Sequence, residues 1–175
     1  SLSIIMDSTE DELIEYVKEF REEFMEMPVS EISFPRTVKG IDKYSSSVDL
    51  YTKGTPFHVK GTIIYNSLVK EHKLDRTYPI IKNNEKIKYV YLKEPNPTTD
   101  RVIAFINSLP SEFGLDKYID YGVQFEKAYL DPLRNVLNVV GWHYEKQASL
   151  ESFFVWGEKN ESTWISKRIW YEFFK

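Results

Sequence analysis

The sequence predicts an α+β fold, mainly helical, with a small β element in its middle third. Three observations carry that expectation. The stretch TEDELIEYVKEFREEFMEM repeats apolar residues at helical spacing, KIKYVYL begins with strict alternation, and turn-forming residues cut residues 29–54 into short pieces. Taken in order, Leu13, Tyr16, Val17, Phe20 and Phe24 mark one face of a long first helix, with acids on the other face. Thr9 with Glu12 fits a capping box, early acids suit the positive end of the helix dipole, and Pro28 ends the helix. Short strands and loops follow, with Arg36, Lys39, Lys43 and Lys53 spaced along them. Thr55 is placed to cap a second helix, with Pro56 at its first position, that runs to about His72. Tyr78–Lys82 and Lys86–Leu92 flank Asn83-Asn84, a hairpin signal. PNPTTD reads as a loop and RVIAFI as a further strand. Leu115 to Lys127 reads as helix, and Asp131-Pro132 opens another that Gly141 closes.

Length and composition narrow the classes. A chain of 175 residues can form one domain, or two small ones, with a hydrophobic core. Its 42% apolar and 29% charged content is that of a globular protein rather than a disordered one. No apolar run approaches the roughly 18 to 20 residues of a membrane helix, and the opening residues do not read as a secretory signal. The absence of cysteine removes disulfides, thiolate chemistry and cysteine-ligated zinc, and fits a reducing compartment.

The net charge of −4 hides a strong segregation. Residues 1–35 sum to −8, residues 36–93 to +7 and residues 94–175 to −3. For a phosphate backbone the local field counts more than the total. Within the basic third, YTKGTPFHVKG gathers Lys53, Gly54, His58 and Lys60 around a predicted helix start, where free N–H groups and the dipole favour anions. Lys43, Tyr44, Ser45 and Ser46 could add phosphate or sugar contacts. The residues alone leave two readings open, a phosphate grip and an ordinary solvated helix start. A lone histidine such as His58 is more often packed or capping than functional.

Catalytic patterns are lacking. His58, His72 and His143 have no metal-ligand spacing, and no phosphate-binding glycine loop or nucleophile elbow occurs. Asp116, Asp120 and Glu126 could share a helical face, for which solvated carboxylates are the plainer account and a carboxylate nuclease the bolder one.

FPRTVKGIDKYSSS, KGTPFHVKG, IIYN, EKIKYVYLKEPNP, LPSEFGLDKYIDY and QFEKAYLDPL, in that order, resemble the C-terminal part of a family B DNA polymerase of tailed, myovirus-type phages. The resemblance covers roughly residues 2–154. It implies a polymerase-thumb-like helical domain over residues 1–146, with the β element at its tip, that holds primer-template duplex behind the active site. It places Lys43, Ser45, Lys53, Gly54, His58 and Lys60 at the DNA backbone, in sequence-independent contact. It also implies a palm, fingers and exonuclease as partners, and the cytoplasm of an infected bacterium as the location. The family's Asp-Thr-Asp metal motif is absent from this sequence. Any Mg2+ is therefore expected in the palm, no cofactor in this chain, and no polymerisation by this chain alone.

The segment QASLESFF matches the sliding-clamp box, Gln-x-x-aliphatic-x-x-aromatic-aromatic, at Gln147, Leu150, Phe153 and Phe154. On one helical turn Leu150, Phe153 and Phe154 form a three-pronged apolar plug, and Gln147 can bond at a pocket rim. Residues 147–154 are thus expected to be a clamp-binding peptide; in the phage relatives the box is looser. The bland alternative is a helix end packed on the domain. Residues 155–175 extend beyond the family's usual end, and KRIWYEFF faintly echoes the box. A second clamp contact, a self-association helix and translation past the natural end are all compatible with it. Ser1, together with LSIIM before the first helix, suggests a fragment or one half of a split polymerase. A rival reading is a stand-alone DNA- and clamp-binding accessory subunit that completes such a polymerase.

Overall fold

The computed structural model describes residues 9–98 and 100–141. Helix of all kinds takes up about half of these residues, beside two small antiparallel sheets, so the α+β expectation holds.

Helix α1, Glu10–Glu26, forms where the periodicity places it. Its capping box is complete: the Glu12 N–H donates to Thr9 Oγ1 at 3.4 Å and the Thr9 N–H to Glu12 Oε2 at 2.8 Å. After the one-turn helix α2, Val29–Ile32, strand β1 spans Phe34–Thr37. A second one-turn helix, α3, Ile41–Tyr44, leads into a minimal hairpin of β2, Ser45–Ser46, and β3, Leu50–Tyr51. Helix α4 spans Phe57–Glu71, and strands β4, Lys86–Tyr91, and β5, Val102–Phe105, complete the main sheet in the order β1-β4-β5.

Strand β5 is buried at every position, as a strand covered on both faces must be. One cover is α4, whose Gly61 lies directly on the β5 backbone. On the neighbouring strand β4 lie α2 and α5, Tyr121–Phe125, with α1 packed on α5. There Phe24 packs on Phe125 at 5.1 Å between ring centroids and Phe20 on Tyr129 at 4.7 Å. The buried Gln124 ties the cover to the sheet: its amide donates to Ile32 O at 2.6 Å and accepts from the Tyr91 N–H at 3.2 Å. A buried amide with both ends satisfied fixes register as well as stability.

Three local expectations are corrected. Tyr78–Lys82 is not a strand, although Asn83-Asn84 does turn the chain, with Asn84 at φ 69°. Strand β4 pairs instead with β1, forty residues and more upstream, and with β5. Side chains of α4 hold the middle of the 78–82 segment. Asn66 donates to Ile81 O and accepts from the Ile81 N–H, both at 2.9 Å, and the Tyr65 hydroxyl donates to Pro79 O at 3.2 Å. One amide thus replaces a ladder rung. Asn66→Ala orphans both groups of the buried Ile81 and is expected to lower unfolding stability by about 2 kcal/mol, read by denaturant titration.

Second, Thr55 does not cap α4. Its hydroxyl donates to Thr52 O at 2.6 Å inside the preceding turn, and Pro56 takes the cap position. Third, residues 116–118 form only a 3-10 turn; α5 starts at Tyr121, capped by Asp120, which accepts from the Val123 N–H at 3.0 Å. A π-helical turn, Glu126–Leu130, then runs straight into helix α6, Asp131–Val140, so the helix expected from Asp131-Pro132 begins there but continues from the turn before it without a break. Pro is tolerated there because the π turn has already broken the i→i−4 ladder whose N–H it lacks. Gly141 closes α6 in the left-handed conformation, as expected.

A candidate nucleic-acid interface

Residues 43–60 of the basic third form the β2–β3 hairpin and the start of α4. Ser45 pairs with Tyr51 and Ser46 with Leu50. The Thr52 N–H donates to Tyr44 O at 2.8 Å, which carries the pairing one step further. Lys43 and Lys53 each stand one residue beyond this last bonded pair, Lys43 in the end of α3 and Lys53 in the turn before α4. Both are exposed, and neither ammonium is ion-paired among the described residues; Lys43 Nζ lies 5.1 Å from the Tyr44 ring centroid. Asn83 anchors the base of this arm: its side chain accepts from the Ile41 N–H at 2.8 Å and donates to Asp42 Oδ2 at 2.7 Å.

Lys53 and Gly54 occupy a tight turn held by the Thr55 hydroxyl. Gly54 has φ +83°, a conformation side chains resist, and nothing lies within 4 Å of where a Cβ would stand. The exposed backbone here can approach a ligand closely. Beyond it the Val59 and Lys60 N–H groups both donate to Pro56 O, leaving those of Phe57 and His58 outside the helical pattern.

Of the six expected contacts, four come together: Lys43, Ser45, Lys53 and Gly54. The Ser45 hydroxyl is already engaged, donating to Ile41 O at 2.8 Å, and so presents its lone pairs rather than its proton. Lys60 adjoins this group through Tyr51, whose ring centroid lies 5.2 Å from its Nζ, but the ammonium is not free. It donates to Asp100 Oδ2 at 2.7 Å, and that bond raises its pKa above the ordinary lysine value.

His58 falls on the other side of α4. Two residues along a helix turn the side chain by about 200°, and the His58 ring lies 6.3 Å from that of Tyr89 on β4. Burial, with the Arg36 guanidinium second, lowers its pKa, so near neutral pH it offers a hydrogen bond and no charge. Around it Phe34, Phe57, Tyr89 and Tyr91 form one half-buried aromatic group, with Phe57 stacked on Tyr91 at 4.6 Å. Tyr51 and Asp100 escaped the sequence reading altogether. Asp100 lies forty positions from the lysine it binds, and no local pattern announces such a pair.

Gln147, Leu150, Phe153 and Phe154 lie outside the described residues, as do residues 155–175. The three carboxylates of the nuclease reading do not converge on a site: Asp120 is spent on capping, and Asp116 and Glu126 are exposed. Among the described residues no three His, Cys, Asp or Glu side chains are placed to hold a metal, and no helix is long and apolar enough to cross a membrane.

No protein-family model matches the chain. The DNA-directed DNA polymerase of Enterobacteria phage T4 is 30% identical over 158 residues, which is 88% of this chain and 17% of the polymerase. The DNA-directed DNA polymerase of Escherichia phage RB69 is 34% identical over 104 residues, 57% of this chain and 11% of the polymerase. The chain thus spans less than a fifth of the length of either relative.

Proposed function

On the premise that this chain is related to phage DNA-directed DNA polymerases, we propose that it is the thumb-containing part of a family B replicative polymerase, at work in the infected bacterium. Its task is to hold primer-template duplex by the phosphate backbone while a palm bearing the catalytic aspartates and their Mg2+ carries out the chemistry. The observation that best supports this reading is the convergence of Lys43, Ser45, Lys53 and Gly54 on one hairpin, in a chain whose central third carries +7. Exposed ammonium groups beside an open glycine backbone suit phosphates, and phosphate contacts carry no sequence information, which is what an enzyme moving along any sequence requires.

The Gln147–Phe154 peptide then ties the polymerase to a sliding clamp through Leu150, Phe153 and Phe154. Two measurements on the full chain test the proposal. Duplex affinity should fall steeply between low and high salt; a flat response removes the phosphate grip. Leu150→Ala with Phe153→Ala should abolish capture by an immobilised clamp while duplex affinity stays within about twofold, the effect of surface changes away from an interface. Loss of both together means that the plug packs on the domain.

A further inference from the structure

Lys60 and Tyr51 converge on a single oxygen. Lys60 Nζ donates to Asp100 Oδ2 at 2.7 Å and the Tyr51 hydroxyl donates to the same atom at 3.0 Å. The lysine and aspartate side chains keep 27% and 18% of their exposure, so the pair is shielded from water yet reachable. A cation and a hydroxyl aimed at one anionic oxygen is also how a phosphate oxygen is held.

The carboxylate is presented by a self-supporting loop. Asn96 Oδ1 accepts from the Thr98 N–H and hydroxyl at 2.8 and 2.7 Å, and the Thr98 hydroxyl lies 2.8 Å from Asp100 O. The Arg101 N–H donates to Asp100 Oδ1 at 2.7 Å. Burial alone would raise the Asp100 pKa, but the bonds from Lys60, Arg101 and Tyr51 outweigh it and hold the carboxyl ionised. The position matters as much as the geometry: Tyr51 sits two residues before Lys53 and pairs with Ser45.

We propose that Lys60 and Tyr51 form a phosphate subsite of the hairpin grip, and that the chain's own Asp100 carboxylate occupies it as a competitor. This rests on the duplex-holding reading and adds a control to it. A phosphate can bind Lys60 only by displacing Asp100, which must then recruit a solution cation. Lys60 consequently contributes almost nothing to the salt dependence of binding, and the hold on the duplex stays weak enough for movement along it.

The test compares the full chain with Asp100→Asn, which keeps an acceptor oxygen for Tyr51 and removes the charge. Binding of a mixed-sequence duplex is followed from low to moderate salt. The plot of log affinity against log salt should steepen by about 0.9, the value of one more phosphate contact, with tighter binding at low salt. Asp100→Glu should restore the original slope, and Lys60→Met added to Asp100→Asn should cancel the gain. An unchanged or shallower slope in Asp100→Asn overturns the proposal, as does a gain that survives Lys60→Met. Tighter binding of inorganic phosphate with no change toward duplex overturns the assignment to the DNA backbone. If Asn at 100 disturbs folding, Asp100→Ser is read against the same outcomes. A wild-type chain with no affinity for duplex sinks the duplex reading itself, whereas a wild-type chain that binds beside an unaltered Asp100→Asn sinks only the subsite.

Discussion

Gly61→Val should lower the unfolding free energy by about 3 kcal/mol, because α4 rests on β5 with no room for a side chain. A Cβ at residue 61 would stand 2.9 Å from Val102 Cγ2, 3.0 Å from the Ala104 nitrogen and 3.2 Å from the Ile103 carbonyl carbon. Two of these three atoms are backbone in a strand paired to β4, so they cannot turn aside as the end of a side chain would. The gain in helix propensity on leaving glycine, about 0.4 kcal/mol, does not offset the displacement. For a chain of this size the thermal midpoint should drop by roughly 6–12 °C. The damage should also reach the interface: α4 carries Lys60, and its start abuts the Lys53–Gly54 turn. An unaltered midpoint would mean that helix and strand stand further apart than described.

Lys43→Ala with Lys53→Ala should be the most damaging pair for duplex binding while leaving the fold intact, since both side chains are exposed and neither takes part in an ion pair among the described residues. If each ammonium meets one phosphate, the salt slope should fall by about 1.8, and affinity at low salt by about a hundredfold, two charge-assisted bonds being worth about 3 kcal/mol together. Loss of affinity with no change in slope would mean that the two lysines shape the hairpin rather than touch phosphate. The same pair changed to arginine should keep the slope, because the charge is retained.

The elements of the fold and of the interface differ in how far they can be read from sequence. The charge of the middle third, and Lys43, Lys53 and Gly54 within it, could be read from the linear text, as could Thr9 and Glu12 at the head of α1. Each of those signals is complete within a few residues. The false hairpin at residues 78–92 shows the limit of such reading. Asn83-Asn84 is a true turn and Lys86–Tyr91 a true strand, yet the incoming arm is held by Asn66 from another element, and the strand's partners come from afar. Pro132 does mark the start of α6, but a proline signal says only that an N–H is missing, not that a π turn leads into the helix.

By itself, the sequence determined the long first helix, the α+β class, the concentration of positive charge and the resemblance to phage polymerases, all of which reside in short windows or in residue order. Only the tertiary structure decided which cations remain free. Lys60 is covered by Asp100, His58 is turned to an aromatic face and left uncharged, and Lys43 and Lys53 stay open to solvent. The physical reason is that electrostatic availability depends on neighbours in space and on the water they exclude, and neither is written in the spacing of residues along a chain.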